Sequence, residues 1–144
     1  MKNFKLLFTM LTIICLVAFN AVDSSAQIVK SITGTTANSG IVKDTLNGAD
    51  TAYVNVPVDA ATQSVSVYDK KVSGTVGGKW YLQGTGKSGK WESIDSLTRT
   101  NGDGQKTFTF GSVKPNASYR LVGYQSGSSP LSTYSVFTVR RTGQ

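Results

Sequence analysis

An all-β chain folded into one two-layered sandwich is what this sequence predicts, and three observations predict it. Apolar side chains recur at every second position, the period of a strand with one buried face. The segments that show this lie about ten to twelve residues apart, cut by Gly, Asn, Asp, Ser and Pro. Helix-forming runs of Ala, Glu, Lys and Leu are missing outside the N-terminus, and Glu occurs once, at Glu92. With 144 residues, 39% hydrophobic and 16% charged, the chain is long enough for one domain and apolar enough to close a core.

The N-terminus reads as a targeting segment. Met1-Lys-Asn-Phe-Lys5 is basic, Leu6 to Phe19 is apolar, and Ser24-Ser-Ala26 offers small residues before Gln27. This is the three-part plan of a secretory signal peptide, with cleavage expected between Ala26 and Gln27. The apolar run is short of the ~20 residues that span a bilayer, so membrane attachment is expected only through an uncleaved signal peptide. Cys15 lies inside that run, where the bulky Ile14 argues against lipid attachment. The organisation expected is a signal peptide over 1–26 and one β-sandwich domain over 27–144. Removing 1–26 takes away Lys2, Lys5, Asp23 and the one cysteine. The remainder holds 13 basic and 7 acidic residues, an excess that favours anionic partners.

The elements follow in order. Residues 27–32 form a first strand or an extended lead-in, and 33–40 a polar loop. A strand over 41–46 meets Asn47-Gly48, whose tolerance of positive φ predicts a hairpin into 52–58. Val54, Val56 and Val58 share a face there, and Pro57 places the strand at an edge or ends it. In Ser64-Val-Ser-Val-Tyr68 the valines face inward, and Asp69-Lys-Lys71 marks the strand's exit. Val72, Gly74, Val76, Trp80 and Leu82 share one parity, with Gly77-Gly78 read as a bulge or bend rather than a reversal. The loop 84–89 leads to a return strand started by Trp91 and Ile94, with Leu97 continuing the apolar side after an irregularity. After the turn at 100–104, Phe108 and Phe110 share a face. Tyr119 and Leu121 face one way, and Arg120, Val122 and Tyr124 the other. In the last strand, 131–140, Phe137 and Val139 are expected inward and Tyr134 and Val136 on the opposite side. The result is a single antiparallel, Ig-like sandwich of seven to eight strands, with a small closed β-barrel as the alternative.

From Gly74 onward the chain shows Leu-Gln-Gly-Thr, a polar loop, Trp-x-x-Ile, Thr-Phe-Thr-Phe and Tyr-Arg-Leu-Val. Over Leu82 to Val122 this resembles the small β-sandwich modules of bacterial secreted proteins and phage virion accessory proteins, whose first hairpin reads Gln-Gly-Ser-x-Asp-Gly-x-x-Trp. Here Gly86-Lys-Ser-Gly89 stands where that pattern has Asn-Asp-Gly. The resemblance implies a sandwich with a packing tryptophan and transfers no catalytic residue.

Composition narrows function. With no His in the chain, neither a zinc or copper site nor an imidazole-based triad is expected. Gly84-Thr-Gly-Lys-Ser-Gly89 contains Gly-Lys-Ser but lacks the leading Gly of a phosphate loop, because Tyr81 stands there, and a strand follows rather than a helix. No nucleotide is expected. Asp95, Asn101, Asp103 and Gly104 are oxygen-rich, but their spacing suits Asx turns better than calcium. Glu92 and Asp95 are poor candidates for a glycosidase pair. No catalytic residue, cofactor or metal, and no enzyme activity, is expected. The candidate binding group is the aromatic-basic cluster Lys79, Tyr81, Lys87, Lys90 and Trp91. Aromatic faces stack on sugar rings and ammonium groups pair with acids. Alternation turns Trp80 and Tyr81 to opposite faces, so at most one shares a surface with Trp91; the alternative is that both tryptophans are core. The chain therefore reads as an exported, non-enzymatic module, secreted, periplasmic or on the outer cell surface. It would work as a structural, adhesive or interaction unit among protein subunits, or else as a carbohydrate-binding module for surface glycans, anionic ones above all.

Overall fold

A computed structural model of the chain describes residues 27–31, 41–59, 62–111 and 115–140. The expected signal peptide and the cleavage site expected before Gln27, the loop 33–40 and the tail 141–144 lie outside these residues. The described residues form nine strands: β1 (Gln27–Ser31), β2 (Ile41–Asn47), β3 (Thr51–Val56), β4 (Thr62–Ser73), β5 (Gly77–Thr85), β6 (Trp91–Thr100), β7 (Gly104–Thr109), β8 (Tyr119–Ser126) and β9 (Leu131–Arg140). They make two sheets, β1-β3-β8-β5-β6 and β2-β9-β4-β7, packed as an all-β sandwich and not closed into a barrel. All pairings are antiparallel except β1 with β3, which is parallel.

The connections differ from the expected hairpins. Asn47-Gly48 does turn the chain, with Gly48 at φ 61°. Yet β2 pairs with β9 and β3 with β1 and β8, so the turn carries the chain from one layer to the other. A turn residue dictates local reversal but not which ladder the next strand joins. Likewise Gly77-Gly78 is no bulge in a continuous strand. β4 ends at Ser73 in the four-stranded sheet, and β5 begins at Gly77 in the other. Gly78 has φ 125°, and a Cβ there would collide with the Tyr124 carbonyl. Val72, which shares the parity of the buried Val76 and Trp80, is consequently exposed. Among the described strands only β5 and β6 are neighbours in both sequence and sheet, whereas an immunoglobulin sandwich keeps several successive pairs side by side.

The core lies between the layers. Val54, Val56, Val65, Val67, Trp80, Leu82, Phe108, Tyr119 and Leu121 fill it, as their parity predicts, together with Leu46, Tyr134 and Val136. Burying each valine or leucine contributes about 1.5–3 kcal/mol. In β9 the parity is the reverse of the expected one. Tyr134 and Val136 are buried, Phe137 is half-buried and Val139 is exposed. Both parities of that strand carry large apolar residues, so alternation alone could not choose; Tyr134 wins because its ring packs 5.1 Å from that of Trp80.

One polar group joins the layers from within. Asp69, taken in the sequence as a strand exit, continues β4 on the inner face and is 0% exposed. Its Oδ2 accepts from Trp80 Nε1 at 2.7 Å and from Arg99 Nη1 at 2.6 Å. Arg99 Nη2 also donates to the Gly102 carbonyl. The open sides are laced by ion pairs between layers: Lys30–Asp44 between β1 and β2 at 2.9 Å, and Lys106–Asp95 between β7 and β6 at 2.6 Å.

Candidate functional site

The outer face of the five-stranded sheet concentrates the aromatic side chains the core does not use. Alternation in β8 turns Arg120, Val122 and Tyr124 outward, because Tyr119 and Leu121 belong to the core. Register then places Tyr53 and Tyr81 on either side of Val122, and Gln83 opposite Arg120. Val122 is fully buried although it lies on the outer face and outside the core cluster; the flanking tyrosines cover it. Tyr81 meets Tyr124 edge to face, centroids 5.9 Å apart. Burial and the neighbouring Tyr53 push the Tyr124 phenol above its ordinary value.

Trp91 joins this face through an irregularity. The β5–β6 register shifts between Leu82 and Gln83, whose partners are Asp95 and Ser93, leaving Ile94 as the extra residue. An inserted residue inverts the alternation on one side of it. Leu97, opposite Trp80, faces the core, while Trp91, six residues earlier, faces outward. Trp91 is 36% exposed and Ile94 50%, so neither lies on the core side with Leu97. Of the two tryptophans, Trp80 is core and Trp91 is surface.

Arg120 ties the face together. Its guanidinium lies 4.2 Å from the Trp91 ring centroid and 5.1 Å from that of Tyr53, within cation–π range of both. Its Nε donates to Gln83 Oε1 at 2.9 Å. Beyond Trp91 lies a groove of about 540 Å³, lined by Asn55, Pro57, Val58, Trp91, Ala117 and Ser118. At the other end of the face a second depression of about 440 Å³ is bordered by Lys79, Tyr81, Thr98 and Tyr124. Both are in the size range of small-ligand sites.

Of the sequence candidates, the structure brings Tyr81, Lys79 and Trp91 onto this one face. Lys87 and Lys90 are exposed on the β5–β6 hairpin loop at its rim. That loop is a tight turn, Gly89 N donating to the Gly86 carbonyl at 3.0 Å with Gly89 at φ 70°, and it joins two strands. Sequence reasoning missed Tyr53, Gln83, Arg120 and Tyr124 as members of the site. Their outward parity was legible, but their assembly depends on the order β3-β8-β5, which joins segments distant in sequence.

The other polar constellations are structural. The Asp69–Arg99–Trp80 group is sealed from solvent. Burial pushes the Asp69 carboxyl up, opposed by the Trp80 hydrogen bond and the Arg99 charge. Asn101, at φ 47°, accepts from Lys71 Nζ and Val76 N, and Asp103 accepts from Lys71 N; these turn oxygens pin the β4–β5 crossing. Among the described residues no group of three His, Cys, Asp or Glu is placed to hold a metal ion.

Fold and surface together define a β-sandwich module with an aromatic face. No family model matches the chain, and comparison with curated protein sequences finds no match. Among solved structures it is similar to the periplasmic inhibitor of g-type lysozyme PliG from Aeromonas hydrophila, with 19% identity, a TM-score of 0.48, and coverage of 79% of this chain and 98% of that one. It is also similar to the pre-peptidase C-terminal domain of Bacillus anthracis collagenase, with 16% identity, a TM-score of 0.47, and coverage of 78% and 93%. A third is the family 22 carbohydrate-binding module of Clostridium thermocellum Xyn10B, with 12% identity, a TM-score of 0.46, and coverage of 74% and 85%. These likenesses are weak, and the fold stands on the strand pairings.

Proposed function

We propose that the protein is an exported, non-enzymatic recognition module that binds glycan across the outer face of its five-stranded sheet. The observation that carries this reading is the outward Trp91, which walls a 540 Å³ groove and continues through Arg120 to three tyrosines on neighbouring strands. Exposed indole and phenol faces bordered by polar side chains suit the apolar faces of sugar rings. Export rests on the N-terminal segment 1–26, and a place in the periplasm, on the cell surface or outside the cell goes with it. The sequence resemblance to secreted and virion-accessory modules supports the same setting.

Affinity electrophoresis through gels containing immobilised polysaccharides tests the reading. Retardation is expected for the wild type and is weakened by Tyr81→Ala and Trp91→Ala, with melting temperatures kept. Migration unaffected by any polysaccharide removes the proposal. A structural or adhesive role between protein subunits is the second reading. It is supported by β6 and β7, the outer strands of their sheets at one side of the sandwich, where another strand could add. Concentration-dependent assembly in size-exclusion chromatography, with no glycan retention, would favour it.

A further inference from the structure

Resting on the glycan reading and narrowing it, we infer that the ligand is a polysaccharide whose sugars carry carboxylates, and that Arg120 is the residue that reads them. Followed through the pairings, no outward position of β1, β3, β8, β5 or β6 holds an acid; the charged ones are Lys79 and Arg120. The carboxylates lie elsewhere: Glu92, exposed beside Trp91, pairs with Gly84 and so belongs to the opposite side of β6. Asp44 and Asp95 lace the open sides, Asp69 is in the core, and Asp50, Asp59 and Asp103 accept backbone hydrogen bonds in turns. A face cleared of one sign of charge, with Lys87 and Lys90 at its rim, concentrates ligands of the other sign.

The geometry of Arg120 adds specificity to that charge. Its flat face is taken by Trp91 and Tyr53, and its Nε by Gln83. Its terminal amino groups have no hydrogen bond and no ion pair among the described residues. Stacking fixes the plane of the guanidinium and the Nε bond fixes its rotation, so the remaining edge is a preset fork. A planar fork matches a carboxylate bidentately, which an ammonium cannot do. The rings beside it exclude water and strengthen the contact. A polysaccharide crossing the face meets the groove against Trp91 and then the guanidinium, so ring stacking and acid recognition fall on successive sugars.

The test measures binding of the full chain to polygalacturonate, to the same polymer fully methyl-esterified, and to polyglutamate. Esterification removes the charge and leaves the sugar. The acid polymer is expected to bind about tenfold or more tighter than the ester, and polyglutamate more weakly than the acid polymer. Arg120→Gln should bring the acid polymer down to the level of the ester, Arg120→Lys should fall between, and Trp91→Ala should weaken both polymers. Equal wild-type binding to acid and ester overturns the inference while leaving glycan binding in place, a comparison that needs no variant to fold. Polyglutamate bound as tightly as the acid polymer, or a folded Arg120→Gln with unchanged preference, overturns it as well. Binding to none of the polysaccharides overturns both the inference and the reading beneath it.

Discussion

Replacing Asp69 by Asn keeps the shape of the side chain and removes its charge, which isolates what the buried ion pair does. In the native protein the two side chains are 0% and 1% exposed and 2.6 Å apart. Without the carboxylate, the Arg99 guanidinium is left inside the sandwich without its ion-pair partner, with only the more distant Asp103 to offset it, and it cannot shed its proton. Breaking a buried pair in this way costs about 3–5 kcal/mol, or roughly 10–20 °C of melting temperature for a domain of this size. The reverse change, Arg99→Met, leaves a carboxyl that burial already pushes upward, so it can take up a proton and escape part of the penalty. We expect it to cost less, about 1–3 kcal/mol, and to be pH-dependent. A carboxyl with a raised folded value adds stability that is present below its ordinary value and lost as pH rises through the raised one, so Arg99→Met should be firmer at pH 4 than at pH 7. The double variant should cost less than the two single losses together. Urea unfolding followed by tryptophan fluorescence, at both pH values, measures all three. An Asp69→Asn midpoint within about 1 kcal/mol of wild type, or strict additivity in the double variant, would refute this account of the core.

Three further predictions concern packing and titration. A Cβ at Gly123 would stand 2.6 Å from ring atoms of Trp80, so Gly123→Ala should overpack the core and cost about 1–3 kcal/mol; an unchanged denaturation midpoint would mean that the indole does not lie over β8. The Tyr134 hydroxyl is buried without a partner, so Tyr134→Phe should be neutral or stabilising at pH 7. Burial also raises that phenol far above its ordinary value, and a raised tyrosine loses its stabilisation as pH climbs beyond about 10, so melting curves from pH 9 to 11 should fall less steeply for the variant than for wild type. Lys30 and the Thr45 amide hold Asp44 below its ordinary value, a contribution present above pH ~4 and lost on acidification. Since the pair is partly exposed, Lys30→Met should cost only about 0.2–1 kcal/mol at pH 7, and the difference should vanish near pH 2.

What the sequence made legible follows the reach of each signal. Alternation over a few residues set the inward valines of β3 and β4, Phe108, and the two faces of β8, because burial of one face enforces period two directly. Pro57 marked the end of β3 at Val56, since it cannot donate to a ladder. Pairing was hidden. Asn47-Gly48 announces a reversal, and nothing local says that the next strand joins another sheet. An irregularity before Leu97 was legible, but its place at Ile94 was not, since Trp91 and Leu97 share a parity in the sequence and lose it only in the ladder. Asp69 looked like a strand end because an acid is rarely buried; its partners, Trp80 and Arg99, lie on strands of the other sheet. The aromatic face shows the same division: Tyr81 and Trp91 stood out as aromatics beside lysines, while Arg120 gained its place only from Tyr53, Gln83 and Trp91 around it.

The alternation of successive strands between layers has a kinetic consequence. Only the β5–β6 hairpin can form by closing a short loop; the other described ladders must wait for distant segments to meet, and loop closure has to precede the contacts that reward it. Among the described ladders, the hairpin bearing Tyr81 and Trp91 therefore has the lowest loop-closure cost and is expected to form first.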